Sequence, residues 1–124
     1  MKYWFHPRCG TCKKAAALLK ELGITPEAFD LTHAPIPASA LHEMMQRAAV
    51  SERKWFNTSG QSYRDGGFGA RVAGMTRDEV IAALAADGML VKRPVLDTGT
   101  MVLVGLNEDA WRAALSAGSE KGHA

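Results

Sequence analysis

The chain opens on a short aromatic run, "KYWF" (2–5), stopped by Pro7, which reads as a strand. From Thr11 the apolar spacing changes period. Ala15, Leu18, Leu19 and Leu22 fall at i, i+3, i+4 and i+7, so they share one helical face, and Lys13, Lys14 and Lys20 take the solvent side. Gly23 supplies a stop signal. "PEAFDL" (26–31) reads as a second strand. After "HAPIP", Leu41, Met44, Met45 and Ala48 repeat the helical stripe, with Ser39 as the candidate N-cap and the two methionines as core. Residues 55–74 are glycine-rich and read as irregular. Thr76 and Glu79 form the T-x-x-E pattern of a capping box, followed by inward-facing Val80, Ala83 and Leu84, and Asp87-Gly88 ends that helix. "RPVLDTGTMVLVG" (93–105) reads as a hairpin turning at Thr98-Gly99. Asn107 can cap a last helix carrying Trp111, Ala114 and Leu115, and residues 119–124 read as a frayed tail.

The order is therefore a βαβ start, a helical middle and a ββα finish. These are the two halves of an α/β, thioredoxin-like (glutaredoxin-type) fold, with a helical insertion over about 37–90. One domain over 1–118 is expected, in keeping with 124 residues.

Composition narrows the function. With 47% hydrophobic and 23% charged residues the chain is ordinary for a globular protein. A net charge of +2 is too small to make direct nucleic-acid binding the default. No apolar run is long enough to span a membrane, and "MKYWFHPRC" lacks the pattern of a signal peptide. A cytoplasmic location is expected, where thiols stay reduced and a permanent structural disulfide is disfavoured.

That bears on the only two cysteines, Cys9 and Cys12, in "PRCGTC". The first helix begins beside Cys9. Unpaired N–H groups and the positive end of the helix dipole favour a thiolate there. Arg8 and Lys13 add positive charge. Cys9 is thus the candidate nucleophile. Cys12 lies one turn further in, better covered, where a resolving thiol belongs. Two blander readings stay open. Zinc needs about four ligands and one C-x-x-C gives two, with His6 the only nearby third, so no metal is expected. Two thiols can also pack simply as small hydrophobes, although that leaves their place at a strand–helix junction unexplained.

Pro94 opens the third strand, where this fold places a proline, commonly cis, across the cleft from the active cysteine. Arg93 would then lie near Cys9. It could hold an oxyanion or carboxylate bidentately, or it could be a solvated arginine at a strand start. "GGFGARVAG" (66–74) lacks the strand and helix context of a dinucleotide loop and reads as a flexible loop.

Taken together, "PRCGTCKKAAALL", "WFNTSG" with Tyr63, "DGMLVKRPVL" and "VLVGLNEDAW" resemble the arsenate reductase (ArsC)-related family, which also holds the Spx/MgsR regulators. The resemblance covers about residues 2–115 and is nearest the uncharacterised reductase-like branch. It implies that Cys9 matches the cysteine that attacks arsenate in the reductases, whose adduct glutathione and glutaredoxin resolve. It also implies three arginines around the oxyanion, of which only Arg93 is present. Asn57 stands at the insertion position and Gly105 at the end of the hairpin. Each guanidinium lost removes charge-assisted hydrogen bonds of about 1.5–3 kcal/mol.

The resemblance implies a thiol-dependent oxidoreductase. Cys9 would attack a disulfide, a glutathione mixed disulfide or an arsenate-like oxyanion, and Cys12 or glutathione would resolve the adduct. Arg8, Thr11, Asn57, Ser59 and Pro94 would line the substrate, although Asn57 and Ser59 read locally as turn residues of "NTSG". No bound cofactor is expected, and glutathione with glutaredoxin, or thioredoxin, would be the reductant. The C-x-x-C is shared with the regulators. The alternative is therefore an Spx-like redox sensor docking on the RNA polymerase α subunit.

Overall fold

In the computed structural model of the chain, residues 1–123 are described, and side chains through residue 116. The expected frayed tail at 119–124 lies outside the residues whose side chains are described. The chain runs β1 (Lys2–Phe5), α1 (Gly10–Glu21), β2 (Glu27–Asp30), α2 (Ala38–Arg47), α3 (Gln61–Asp65), α4 (Phe68–Arg71), α5 (Arg77–Ala86), β3 (Val95–Asp97), β4 (Val102–Val104) and α6 (Glu108–His123). Single 3₁₀ turns at Glu52–Trp55, Val72–Gly74 and Gly88–Leu90 link the middle helices.

The sheet order is β2-β1-β3-β4. β1 pairs in parallel with β2, Tyr3 opposite Ala28, and antiparallel with β3, Tyr3 opposite Leu96. Because side chains alternate across a sheet, the odd and even positions of β1 serve different cores. Tyr3 and Leu96 face α1 and α6, packing with Ala15, Leu18, Leu19, Trp111 and Leu115. Trp4, Val95 and Val102 face the insertion and meet Leu41, Met44, Trp55, Phe56 and Leu84. The thioredoxin-like architecture with a helical insertion is thus the observed one, and it sandwiches β1 and β3 between two apolar layers.

Several local readings hold. The Thr76 hydroxyl accepts from the Glu79 N–H, and the Glu79 carboxylate accepts from the Thr76 N–H, so both arms of the capping box form. Gly23 closes α1 at φ +74°, a conformation that glycine adopts without strain. Asn107 caps α6 through the N–H of Ala110, 3.1 Å away.

Two expectations are corrected. Ser39 is not an N-cap. The cap lies two residues earlier, at Pro37, whose carbonyl accepts from the Leu41 N–H at 3.0 Å. Pro37 has no N–H to satisfy and its φ of −59° already suits a helix entry, so no side-chain cap forms. The stretch 55–74 is not an irregular, flexible loop but a chain of short helical turns. Phe68 and Val72, four apart, are buried together, and Tyr63, Phe68 and Phe56 pack ring against ring.

Candidate active site

The site is assembled where β1 hands over to α1. His6 ends the extended segment, and its carbonyl accepts from the Cys9 N–H at 3.2 Å, closing a turn over Pro7 and Arg8. Cys9 then occupies the N-cap of α1 in an extended conformation (φ −91°, ψ 120°). A helix leaves its first N–H groups without partners, and an N-cap side chain ordinarily supplies an oxygen to one of them. Here the sulfur takes that part: the N–H of Cys12 points at Cys9 Sγ, 3.4 Å away. The Thr11 hydroxyl lies 3.0 Å from the same sulfur.

These contacts decide the charge state. Partial burial works against a Cys9 anion. Hydrogen bonds from Thr11, from the thiol and N–H of Cys12 and from Arg93 outweigh it and bring the thiol down from 9.0 to about 7. Cys12 is the opposite case. It is 2% exposed, and burial is the main cause that pushes its thiol up to about 12. The N–H of His6, 3.5 Å from Cys12 Sγ, offsets only part of this, and the neighbouring Cys9 raises it further. Both cysteines are free thiols. One helix turn therefore holds a thiolate-prone sulfur at its lip and a proton-bearing sulfur just behind it.

Sequence reading missed a brace on this turn. The buried Tyr3 hydroxyl donates a 2.6 Å bond to the Cys12 carbonyl, tying β1 to the first turn of α1. Burial and the two adjacent cysteines keep the Tyr3 phenol strongly protonated. No local pattern announces this contact, because it depends on how α1 lies across β1. Burial lowers the His6 imidazole, and Arg93 and Arg8 lower it further, against the pull of Asp30.

The Arg93–Pro94 peptide is cis, and the half-buried Arg93 is among the groups that lower the Cys9 thiol. Of the other positions singled out from sequence, Thr11 contacts the sulfur directly. Arg8 is exposed, with its backbone N–H on His6 Nδ1 at 3.0 Å. Asn57 and Ser59 make no described hydrogen bond to the cysteine turn. The Asn57 N–H donates instead to the Leu90 carbonyl at 2.7 Å, and the Lys92 N–H donates to the Trp55 carbonyl at 2.7 Å. The insertion is thereby laced to the segment that carries Lys92 and Arg93.

Gly105 stands at φ +72°, and a Cβ there would come 3.0 Å from Lys92 Cε. Its N–H donates to the Pro94 carbonyl, and its carbonyl accepts from the Trp111 indole. The positive φ strains any side chain at the hairpin-end position, and the Lys92 stem lies over the space.

Two cavities flank the turn. A cavity of about 180 Å³ is lined by Thr11, Lys92, Arg93, Gly105 and Asn107. A larger groove of about 730 Å³ runs between α1 and β2, lined by Phe5, Pro7, Cys12, Leu19 and Ala28. The small cavity holds Thr11 and Arg93, while Cys12 lines the larger groove on the other side of the turn. Among the described residues, no three His, Cys, Asp or Glu side chains gather as a metal site. No described helix is long and apolar enough to cross a membrane.

A thioredoxin-like sheet, a helix capped by a cysteine whose thiol is lowered, and a cis-proline just ahead of β3 define a thiol-oxidoreductase-like protein. The ArsC family model matches residues 4–114, and the chain belongs to the ArsC family. It is 37% identical over 107 residues to the uncharacterized protein YusI of Bacillus subtilis (strain 168), spanning 86% of this chain and 90% of that one. Its structure is similar to that of an ArsC-family-related protein from Bacteroides fragilis (TM-score 0.86, 32% identity, 90% and 94% of the two chains). It is also similar to a protein from Streptococcus mutans UA159 described as a "possible arsenate reductase" (TM-score 0.79, 34% identity, 86% and 90% covered).

Proposed function

We propose that the protein is a thiol-dependent reductase that uses Cys9 as its nucleophile and reduces disulfides, glutathione mixed disulfides above all. The observation that carries this reading is Cys9 Sγ at the N-cap, 3.4 Å from the Cys12 N–H and 3.0 Å from the Thr11 hydroxyl. The Cys9 thiolate attacks one sulfur of R–S–S–R′. The S–S bond breaks, R′S⁻ leaves and takes a proton, and Cys9 is left in a mixed disulfide with R. Arg93 orients the anionic part of the substrate as a charge-assisted donor.

The adduct must then be resolved. Cys12 is nearly inaccessible and its thiol is pushed up to about 12, so it is a poor attacker at neutral pH. An external thiol of the glutathione class suits the step better: it attacks the mixed disulfide, expels Cys9 as thiolate and carries R away as a new disulfide. Reduction of that disulfide, by glutathione with glutaredoxin or by thioredoxin, completes the cycle. In this reading Cys12 first serves Cys9 as a hydrogen-bond donor.

Arsenate is the less favoured substrate. Arg93 is the only arginine lining the small cavity, and Gly105 cannot carry another without displacing Lys92. The test is turnover of a glutathionylated peptide and of arsenate with glutathione present. We expect peptide turnover in the wild type, its loss in Cys9→Ser and its retention in Cys12→Ser. Arsenate turnover without peptide turnover would overturn the reading.

A further inference from the structure

We propose that Lys92 and Arg93 together form a two-cation clamp for a carboxylate that the substrate carries within a few bonds of its reacting sulfur. The proposal rests on the assignment of Cys9 as nucleophile and adds the substrate class. Both side chains line the 180 Å³ cavity, together with Thr11 and Asn107 and with no acidic residue among the lining. Thr11 lies 3.0 Å from the Cys9 sulfur and also lines this cavity, so the cavity adjoins a direct neighbour of the thiol.

The two cations are left unpaired by the other described side chains. The described ion pairs occupy Arg47, Arg77, Arg112 and His33. Neither Lys92 nor Arg93 has a carboxylate within 4 Å among the described residues, and the Arg93 contact on the protein is a long 4.0 Å approach to Met89 Sδ. Two adjacent like charges with no acid between them repel, and a bound anion relieves this.

The backbone fixes where Lys92 lies. Its N–H is held by the Trp55 carbonyl, and its stem rests on Gly105, where a Cβ would come to 3.0 Å of Lys92 Cε. The positive φ at Gly105 keeps that bed free of a side chain. Arg93 offers a planar fork and Lys92 a mobile point charge, a combination that suits one carboxylate. The volume admits the acid end of a substrate rather than a whole peptide.

The test compares alkylation of Cys9 by iodoacetate, whose carboxylate sits beside the attacked carbon, with alkylation by uncharged iodoacetamide. Rates are followed by peptide mass spectrometry. The iodoacetamide rate against pH reports the thiolate alone, so failure of the Cys9 assignment would appear there, separately from the clamp. In Lys92→Gln we expect the iodoacetate-to-iodoacetamide ratio to fall roughly five-fold, and in Lys92→Arg to recover. Lys20→Gln, on the far groove, should leave the ratio at the wild-type value. A ratio unchanged in Lys92→Gln would overturn the clamp. So would equal slowing of both reagents, since Lys92 would then act only through the thiol.

Discussion

The Thr11 hydroxyl stands 3.0 Å from Cys9 Sγ, one residue inside the helix that the sulfur caps. A threonine there can give the anion a hydrogen bond that the neutral thiol does not need. Thr11→Val should therefore move the Cys9 thiol upward from about 7 toward its ordinary 9.0. At about pH 6 its alkylation by iodoacetamide should slow roughly five-fold, the equivalent of one hydrogen bond of about 1 kcal/mol. An unchanged rate would remove Thr11 from the site.

The same acidity predicts how stability responds to pH. The folded Cys9 thiol lies at about 7 and the ordinary thiol at 9.0, so the folded chain binds fewer protons between these values. The contribution is fully present above 9.0 and is lost as pH falls through about 7. Cys12 has the opposite sign: held protonated up to about 12, its contribution is present below 9.0 and is lost as pH rises through about 12. Ser at position 9 caps the helix without ionising. The wild type should thus gain about 1 kcal/mol over Cys9→Ser between about pH 6 and about pH 8.5, a figure kept low because Cys9 is part-exposed. Urea unfolding at the two pH values measures it.

Gly105→Ala places a Cβ on a backbone at φ +72° and against Lys92. We expect a loss of about 1–2 kcal/mol in urea unfolding. Gly105→Arg should lose at least as much and should not yield efficient arsenate turnover, because the new side chain sits on a strained backbone and must displace the Lys92 stem. Arsenate reduction gained by Gly105→Arg would show that the backbone does accept a second arginine.

Thr76→Ala removes one arm of the α5 capping box, in which the Thr76 hydroxyl accepts from Glu79 at 3.2 Å. Stability should fall by about 1 kcal/mol. The Cys9 alkylation rate should stay at its wild-type value, since α5 packs on α2 in the insertion layer.

What the sequence disclosed here was local. β1, the capping box and the placement of Cys9 at a helix start depend on residues within one turn of each other, and each could be read directly. The stretch 66–74 misled because its glycines resemble a loop, while the Phe68–Val72 pair that anchors it is only two residues long. Ser39 misled because Pro37 already makes an adequate helix entry. The remaining features join distant segments: Tyr3 reaches the Cys12 carbonyl, Lys92 lies over Gly105, and Arg93 influences the Cys9 thiol. Spacing along a chain does not encode such approaches. They follow only once β1 and β3 are paired and α1 is laid across them.

The most direct test is the pH dependence of Cys9 alkylation by iodoacetamide in the wild-type protein, resolved from Cys12 by peptide mass spectrometry. A thiolate held by the opening of α1 predicts a midpoint near 7 for Cys9, with Cys12 unreactive through neutral pH. A Cys9 midpoint at or above 9.0 would contradict the account.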